Sequence, residues 1–411
     1  NNKKKFMKRN KISIIGAGYV GLPTALLLAS KNKNVELIDI DKSKIDKLKK
    51  GEIFINEQKI KKLFKSNSSK KNIKFSLKLQ ESEVYIICVP SNLGFKKQQN
   101  KKPIWDVIKK IKPKIKRDDL IIIETTCEVG ITKEIVNYFK KNRKDLFDDS
   151  GEIQFSISYC PERVFPGKTL DELKNNIRII GGFNKKSSAA AKKIFDKFSK
   201  KNIVTDHKSA ELVKLVENSY RNVNIGFSNE LSILCENLKL NFSNIRKLSN
   251  LHPRVNLLNS GVGVGGHCIP IDPYFLVSKY KKLSILNSSI KANENKTKWV
   301  SNKIIKKLKK SKIKRVLIWG ITYKADVSDT RESPSIKIIK KLQKEKFIIK
   351  IVDFDTSELK GKEFYNFNII DKPRKYLDKY FNIILVNHKK FKKYKSDILK
   401  NKYLDLCDFI K

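Results

Sequence analysis

The stretch from Lys11 to Asp41, KISIIGAGYVGLPTALLLASKNKNVELIDID, leaves the chain few choices. It runs as a short apolar strand, a glycine turn, an apolar helix and a second strand that ends in acidic residues. The turn GAGYVG sets Gly16, Gly18 and Gly21 in a G-x-G-x-x-G pattern, and Asp39 follows 18 residues after Gly21. Glycines at these places permit a tight turn and let a pyrophosphate meet the helix N-terminus, where backbone N–H groups point outward. An acid at the end of the second strand is the residue type that binds ribose hydroxyls, and it favours NAD over NADP. The unit predicts a dinucleotide-binding domain with Gly16, Gly18, Tyr19, Val20, Gly21 and Asp39 at the cofactor.

Further short apolar segments follow: EVYIICVP (83–90), LIIIETT (120–126) and QFSISYCPER (154–163). Each ends in a polar or proline-containing loop, which puts Ser91, Thr126 and Glu162 where a doubly wound sheet binds its ligand. A long helix is predicted from Ser209 to about Leu240, with Leu212, Leu215, Val216, Val223, Phe227, Leu231 and Leu234 as its apolar stripe. On another face Lys214, Asn218 and Arg221 stand at i, i+4 and i+7, a spacing that fits an anion-facing row or an ordinary solvated face. A second strand–loop–helix unit opens at KRVLIWG (314–320), whose loop ITYKADVSDTRE leads to an N-cap serine, Ser333, and Pro334 at the first helical position. KFIIKIVDFD (346–355) and FNIILVN (381–387) read as two more strands. The two α/β halves echo each other in architecture only. The expected fold class is α/β: two Rossmann-like doubly wound domains, 8–205 and 301–411, joined by a central helical domain, 206–300.

Composition narrows the function classes. Ninety Lys plus Arg against 42 Asp plus Glu give a formal charge of +48 over 411 residues. The lysines are scattered through every segment, with no basic stripe carrying interleaved aromatics. The charge therefore predicts attraction of anionic ligands such as phosphates rather than a specific nucleic-acid partner. A polyanion binder on an enzyme-like scaffold stays open as the alternative of another class. The six cysteines form no CxxC pair and no cluster with the four histidines, so no metal site and no disulfide framework is expected. Apolar runs fall short of the roughly 18 residues of a membrane helix, and no signal peptide is visible, so a cytoplasmic location is expected. MKRNKISIIGAGYVG from Met7 reads like a natural start, with Asn1 to Phe6 as upstream residues.

One segment is left, GVGVGGHCIPIDP (261–273), which sets Cys268 just after the most flexible stretch of the chain. A cysteine there fits a nucleophile as well as packing. Taken with GAGYVGLPTA, YCPERVFPG, KLVENSYRNVNIGFSNELS, HPRVN and ITYKADVSDTRESP, the segment resembles the UDP-glucose/GDP-mannose dehydrogenases over nearly the whole chain from Lys11. These enzymes oxidise a sugar hydroxymethyl group to a carboxylate with two NAD molecules. The wording is most similar to the N-acetylhexosamine branch, with UDP-N-acetyl-D-mannosamine favoured through YCPERVFPG and LHPRVN. UDP-N-acetylglucosamine and UDP-glucose are the alternative substrates.

The resemblance implies roles residue by residue. Cys268 is the nucleophile that carries a thiohemiacetal and then a thioester, and its glycines would let the sugar approach. Lys214, Asn218, Asp272, Glu162 and Thr126 complete the catalytic group. Arg163, Val164, Arg221, His252, Arg254, Gly263 and Lys324 join Lys214 and Asn218 at the sugar nucleotide, and Arg331 reaches the NAD beside Ser91 and Thr126. His267 is a structural or acetamido contact, while His207 and His388 read as surface residues. Cys88, Cys127, Cys160, Cys235 and Cys407 stay structural. A homodimer through the central helix is implied, and so is a precursor for surface polysaccharide as the product. One departure stands out: where the family usually reads T-x-P-V-G, this chain has Thr126-Cys127-Glu128-Val129-Gly130. Loss of that proline is expected to loosen the turn and to add a carboxylate near the cofactor cleft.

Overall fold

The structure, a computed structural model, describes residues 11–31, 34–55, 57–69, 72–164, 167–353 and 367–410. The proposed upstream residues and start at Met7, Phe165 and Pro166 of YCPERVFPG, and the end of the strand segment 346–355 lie outside them. The chain forms two compact units, Asn1–Val216 and Glu217–Lys411.

In the first unit the order is β1 (Lys11–Ile15), α1 (Gly21–Ala29), β2 (Asn34–Ile38), α2 (Lys42–Lys49), α3 (Gln58–Ser69), β3 (Ile73–Ser76), β4 (Val84–Ile87), α4 (Lys102–Ile111), β5 (Leu120–Ile123), α5 (Ile131–Asn142), β6 (Ser156–Tyr159), α6 (Thr169–Asn175), β7 (Arg178–Gly182), α7 (Lys185–Phe195) and β8 (Asn202–Asp206). The strands make one sheet in the order β3-β2-β1-β4-β5-β6-β7-β8. Every pairing is parallel except β6 with β7. β4, β5 and β6 are buried at every position, as strands covered by helices on both faces must be. Ile12, Ile14, Leu26 and Phe195 fill the core on one face, and Tyr85, Ile121, Phe139 and Phe155 fill it on the other.

The long helix α8 (His207–Asn237) starts in the first unit and ends in the second. The second unit continues with α9 (Phe242–Ser249), α10 (Asp272–Val277), α11 (Ser284–Lys310), β9 (Arg315–Trp319), α12 (Pro334–Lys344), β10 (Ile348–Val352), β11 (Phe381–Ile384), α13 (Lys395–Leu399) and β12 (Tyr403–Asp405). Its four strands lie in the order β10-β9-β11-β12, all parallel. Ile318, Ile338, Leu342 and Ile383 pack one face of this sheet, and Trp319, Ile384, Phe391 and Ile398 pack the other. Both units are thus Rossmann-like, and the helices α8 to α11 fall between the two sheets in the chain. No helix of the described residues is long and apolar enough to cross a membrane.

Several expectations change on contact with the structure. All the strand segments read from sequence are present in trimmed form, but β3, β7, β8 and β12 were not foreseen. These strands are short, and β3, β8 and β12 carry exposed or half-buried positions with little apolar signal. Ser333 sits at the N-cap of α12 with Pro334 next, yet its hydroxyl makes no capping bond and is buried without a partner. The two halves also share more than architecture. Gly16 has φ +108° and donates its N–H to Ile38, while Ala17 donates to Asp39 Oδ2 at 2.8 Å. Gly320 has φ +92° and donates to Val352, while Ile321 donates to Asp353 Oδ2 at 2.8 Å. The same glycine and the same acid shape both turns, although the second turn has no further glycines.

α8 is inverted relative to its predicted stripe. Leu212, Val216, Phe227 and Leu234 are exposed, and of that stripe only Leu215 is fully buried. The buried positions instead include Lys214, Asn218, Asn222, Ser228, Asn229 and Ser232.

Candidate active site

The glycine turn has the form a dinucleotide needs. A side chain at Gly16 would meet the Cys88 carbonyl, and one at Gly21 would meet the Gly16 carbonyl, so both glycines answer to close backbone packing. A side chain at Gly18 would meet nothing within 4 Å, which leaves that backbone open to a ligand. Val20, the N-cap of α1, supplies no side-chain cap. The first turn of α1 is therefore left to an anion, as a pyrophosphate site requires. Asp39 accepts N–H groups from Ala17 and Asp41 on separate oxygens, which fixes the carboxylate while each oxygen keeps a further lone pair. These residues fit NAD.

Beside this turn the structure reveals Gln99, which sequence reasoning missed. Its amide donates to Ser91 Oγ (2.9 Å) and to the Thr126 carbonyl (3.2 Å), and its oxygen accepts the Glu128 N–H (2.9 Å). The Cys127 N–H is held by the Tyr159 hydroxyl at 3.0 Å. The turn is consequently tied down where a loose one was expected, because Glu128 has the N–H that a proline lacks. The added carboxylate is turned to Lys101, 3.2 Å away.

Glu162 sits at the end of a buried ionic chain. Arg178 donates to Glu124 (2.6 Å) and to Glu162 (3.0 Å), and the Cys88 thiol reaches Glu124 at 3.1 Å. The other Glu162 oxygen accepts the Arg163 N–H at 2.6 Å. Burial raises the Glu124 pKa against the pull of Arg178, and burial pushes the thiols of Cys88, Cys127, Cys160 and Cys407 up. These four thiols have the poor reactivity of structural cysteines. Arg163 donates to the Ile177 carbonyl, and Val164 packs against the core. Lys214 is buried, one turn beyond Glu211. The wholly buried Glu211 carboxylate accepts from Gly130 N–H, Thr132 N–H and Thr132 Oγ at 2.6, 3.0 and 2.6 Å, and so anchors the start of α8 to the start of α5.

In the second unit the structure brings Asn218 and Asp272 together, with Nδ2 donating to Oδ2 at 2.5 Å. The Cys268 carbonyl accepts N–H bonds from Ile271 and Asp272, so the thiol residue is the hinge on which α10 starts. The glycines before it answer first to packing. A side chain at Gly263 would strike Thr297, one at Gly265 would strike Tyr323 and Pro334, and one at Gly266 would press on the Tyr323 ring. The Tyr323 hydroxyl is pushed up to about 12, chiefly by burial, with Asp329 and Cys268 adding. Burial lowers the Lys324 pKa and the neighbouring Arg221 guanidinium lowers it further, so two substrate candidates form one cationic patch.

Arg331 grips Asp329 through Nε and Nη2. His267 bears on the same Asp329, whose pKa is lowered despite its burial. His252 and Arg254 occupy an exposed turn, where the Arg254 N–H meets His252 Nδ1 at 3.3 Å.

His207 and His388 are not surface residues. Phe183 stacks on His207, whose ring nitrogens are buried without partners and whose pKa is lowered by that burial. His388 is buried, with Thr322 Oγ1 3.0 Å from Nε2 and the Asp326 N–H donating to Nδ1. The signals for Gln99, Arg178 and Glu211 were weak. Arg178, a lone cation at the head of an apolar strand, is the one whose burial the sequence could have suggested.

Comparison with known proteins covers nearly the whole chain. Residues 10–199 match the NAD binding domain of the UDP-glucose/GDP-mannose dehydrogenase family, 208–296 its central domain and 317–408 its UDP binding domain. The chain is 38% identical over 406 residues to a UDP-N-acetyl-D-mannosamine dehydrogenase of Methanococcus aeolicus, covering 97% of this chain and 89% of that one. It is 32% identical to an NDP-N-acetyl-D-galactosaminuronic acid dehydrogenase of Ralstonia nicotianae, over 95% and 94% of the two chains. Among solved structures, a UDP-D-ManNAc dehydrogenase from Pyrococcus horikoshii superposes with a TM-score of 0.88 at 30% identity, over 98% and 96%. With three domains matched in order, the chain belongs to the UDP-glucose/GDP-mannose dehydrogenase family and is an NAD-dependent dehydrogenase.

Proposed function

We propose that this enzyme oxidises UDP-N-acetyl-D-mannosamine to UDP-N-acetyl-D-mannosaminuronate, a precursor for surface polysaccharide, in the cytoplasm. The observation that carries the reading is the 38% identity to the M. aeolicus dehydrogenase over 97% of the chain. NAD, when bound at the turn of Gly16, Gly18, Tyr19, Val20, Gly21 and Asp39, accepts one hydride in each of two oxidations. Ser91, Thr126 and Arg331 would help to hold it.

The first oxidation turns the sugar hydroxymethyl group into an aldehyde, with Lys214 taking the hydroxyl proton. The Cys268 thiolate then adds to the aldehyde carbon, and loss of the second hydride leaves a thioester. Water cleaves the thioester, releasing the carboxylate and returning the Cys268 thiolate. Asp272 and Glu162 accept protons from that water, and Lys214 and Asn218 hold the developing oxyanion. Arg163, Val164, Arg221, His252, Arg254, Gly263 and Lys324 bind the sugar nucleotide, where the paired cations Arg221 and Lys324 suit its pyrophosphate.

The working division of the chain is an NAD-binding domain over 8–205, a central domain over 206–300 and a UDP-sugar domain over 301–411. The exposed apolar residues Leu212, Val216, Phe227 and Leu234 on α8 support a homodimer formed through this helix. The +48 charge serves to draw anionic substrate, with no specific nucleic-acid partner.

NADH formation with UDP-N-acetylmannosamine, UDP-N-acetylglucosamine and UDP-glucose in parallel tests the substrate. Turnover of the first alone supports the reading. Turnover of another sugar alone keeps the mechanism and replaces the substrate. NADH from none of them, with steeply salt-dependent polyanion binding, would favour the binder.

A further inference from the structure

The polar stripe that α8 buries is longer than the candidate catalytic group needs. Asn218, Asn222, Gly226 and Asn229 lie on one face at helical spacing. Asn218 serves Asp272, but nothing in the reaction uses Asn222 or Asn229, which are 2% and 0% exposed. Two buried amides are expensive unless each finds partners. The partners they find belong to the loop that carries Cys268.

Asn222 Nδ2 donates to the carbonyl of Ile269, the residue after the thiol, at 3.0 Å. Asn229 Oδ1 accepts the N–H of Gly261, where the glycine segment begins, at 3.3 Å. Both amides are themselves fixed by α11. Ser289 Oγ donates to Asn222 Oδ1 (2.9 Å), Asn293 Nδ2 donates to the Asn222 carbonyl (2.9 Å), and Asn229 Nδ2 donates to Asn293 Oδ1 (2.9 Å). Gly226 lets the two helices come this close, since a side chain there would press on the Ser289 carbonyl.

We infer that Asn222 and Asn229 are positioning residues that clamp the thiol loop at its two ends against α8, fixing where Cys268 points. The clamp rests on the reading of Cys268 as nucleophile. A flexible glycine segment ahead of a nucleophile would otherwise let the thiol wander, and misplacement of a reacting atom by about 1 Å costs on the order of a hundredfold in rate.

Asn222→Asp is the informative variant: it keeps the acceptor for Ser289 and loses the donor to Ile269. In the full chain its kcat for UDP-N-acetylmannosamine is expected to fall at least about tenfold, with both KM values within about twofold. Amide hydrogen exchange across residues 261–271 is expected to rise while α8 and α11 stay protected. Asn229→Ala removes the acceptor for the Gly261 N–H and is expected to raise exchange mainly near Gly261. Unchanged exchange in 261–271, or a change confined to KM, overturns the clamp. If Asn222→Asp and the smaller Asn222→Ser both unfold the helix pair, Asn222 is a packing residue and the clamp falls as well. Absence of NADH from the unaltered enzyme would instead defeat the substrate reading, and the exchange comparison would still judge the clamp.

Discussion

Gln99 shows how one side chain can do the work of a rigid turn. Its amide spends both donors and its acceptor on Ser91, Thr126 and Glu128, so two loops at the cofactor turn share one anchor. Gln99→Leu keeps the volume and removes all three bonds. At about 1 kcal/mol for each bond, part of it recovered by relaxation, NAD affinity is expected to fall about tenfold by calorimetric titration. The pair Gln99 and Glu128 also explains why the proline of related turns is dispensable in this chain. No local pattern foretold this, because the backbone groups of Thr126 and Glu128 are far from Gln99 in sequence and come within its reach only after the sheet has formed.

Lys296 is the clearest titrating residue. It is buried in α11, donates to Ser232 Oγ at 2.6 Å and lies over the Trp299 ring. Burial lowers its pKa to about 8, against 10.5 for a free lysine. A folded-state value below the unfolded one means that the unfolded chain binds more protons between those two pH values, so this residue makes stability rise with pH across that window. The full effect is on the order of 3 kcal/mol, at about 1.4 kcal/mol for each pH unit. Urea unfolding at pH near 7.5 and near 9.5 should therefore show a gain for the unaltered enzyme that Lys296→Met lacks. Equal gains in both proteins would mean that Lys296 is not the source.

At the scale of elements, α8 is where sequence and structure part most instructively. Its apolar residues repeat at helical spacing and its Lys214, Asn218 and Arg221 row could have faced water, yet Lys214 and Asn218 are buried, Arg221 stays exposed, and Phe227 and Leu234 are exposed with it. Periodicity reports that a helix has two faces and does not say which is covered by the same chain. The homodimer proposed above would cover these exposed residues and so resolve the inversion. Phe227→Glu with Leu234→Glu is expected to convert the dimer to monomers in sedimentation velocity, and a dimer that survives both changes lies on another face. The start of α8 is set by Glu211, whose carboxylate receives three donors from Gly130 and Thr132. Glu211→Gln removes the charge at the N-terminus of α5 and part of the acceptor set, and a loss of about 1–3 kcal/mol in unfolding free energy is expected.

Across the whole molecule, the legible parts were those in which one short segment fixes its own geometry. GAGYVG needs glycine at Gly16 and Gly21 for contacts within a few residues of a strand end, and the acid at Asp39 is read by the same turn. GITYK hides the same design because its turn keeps only the first glycine, and only the matching Ile321 bond to Asp353 exposes the kinship. The candidate site residues were read from scattered motifs, while the side chains packed and bonded around them gave no such signal. Arg178, Gln99, Asn222 and Asn229 earn their roles through partners brought close by the fold.

A four-electron oxidation through Cys268 is read out by counting the NADH formed for each UDP-N-acetylmannosamine consumed to completion. Two are expected, with no uronate product from Cys268→Ser. One NADH for each sugar, with free aldehyde accumulating in the unaltered enzyme, would contradict it.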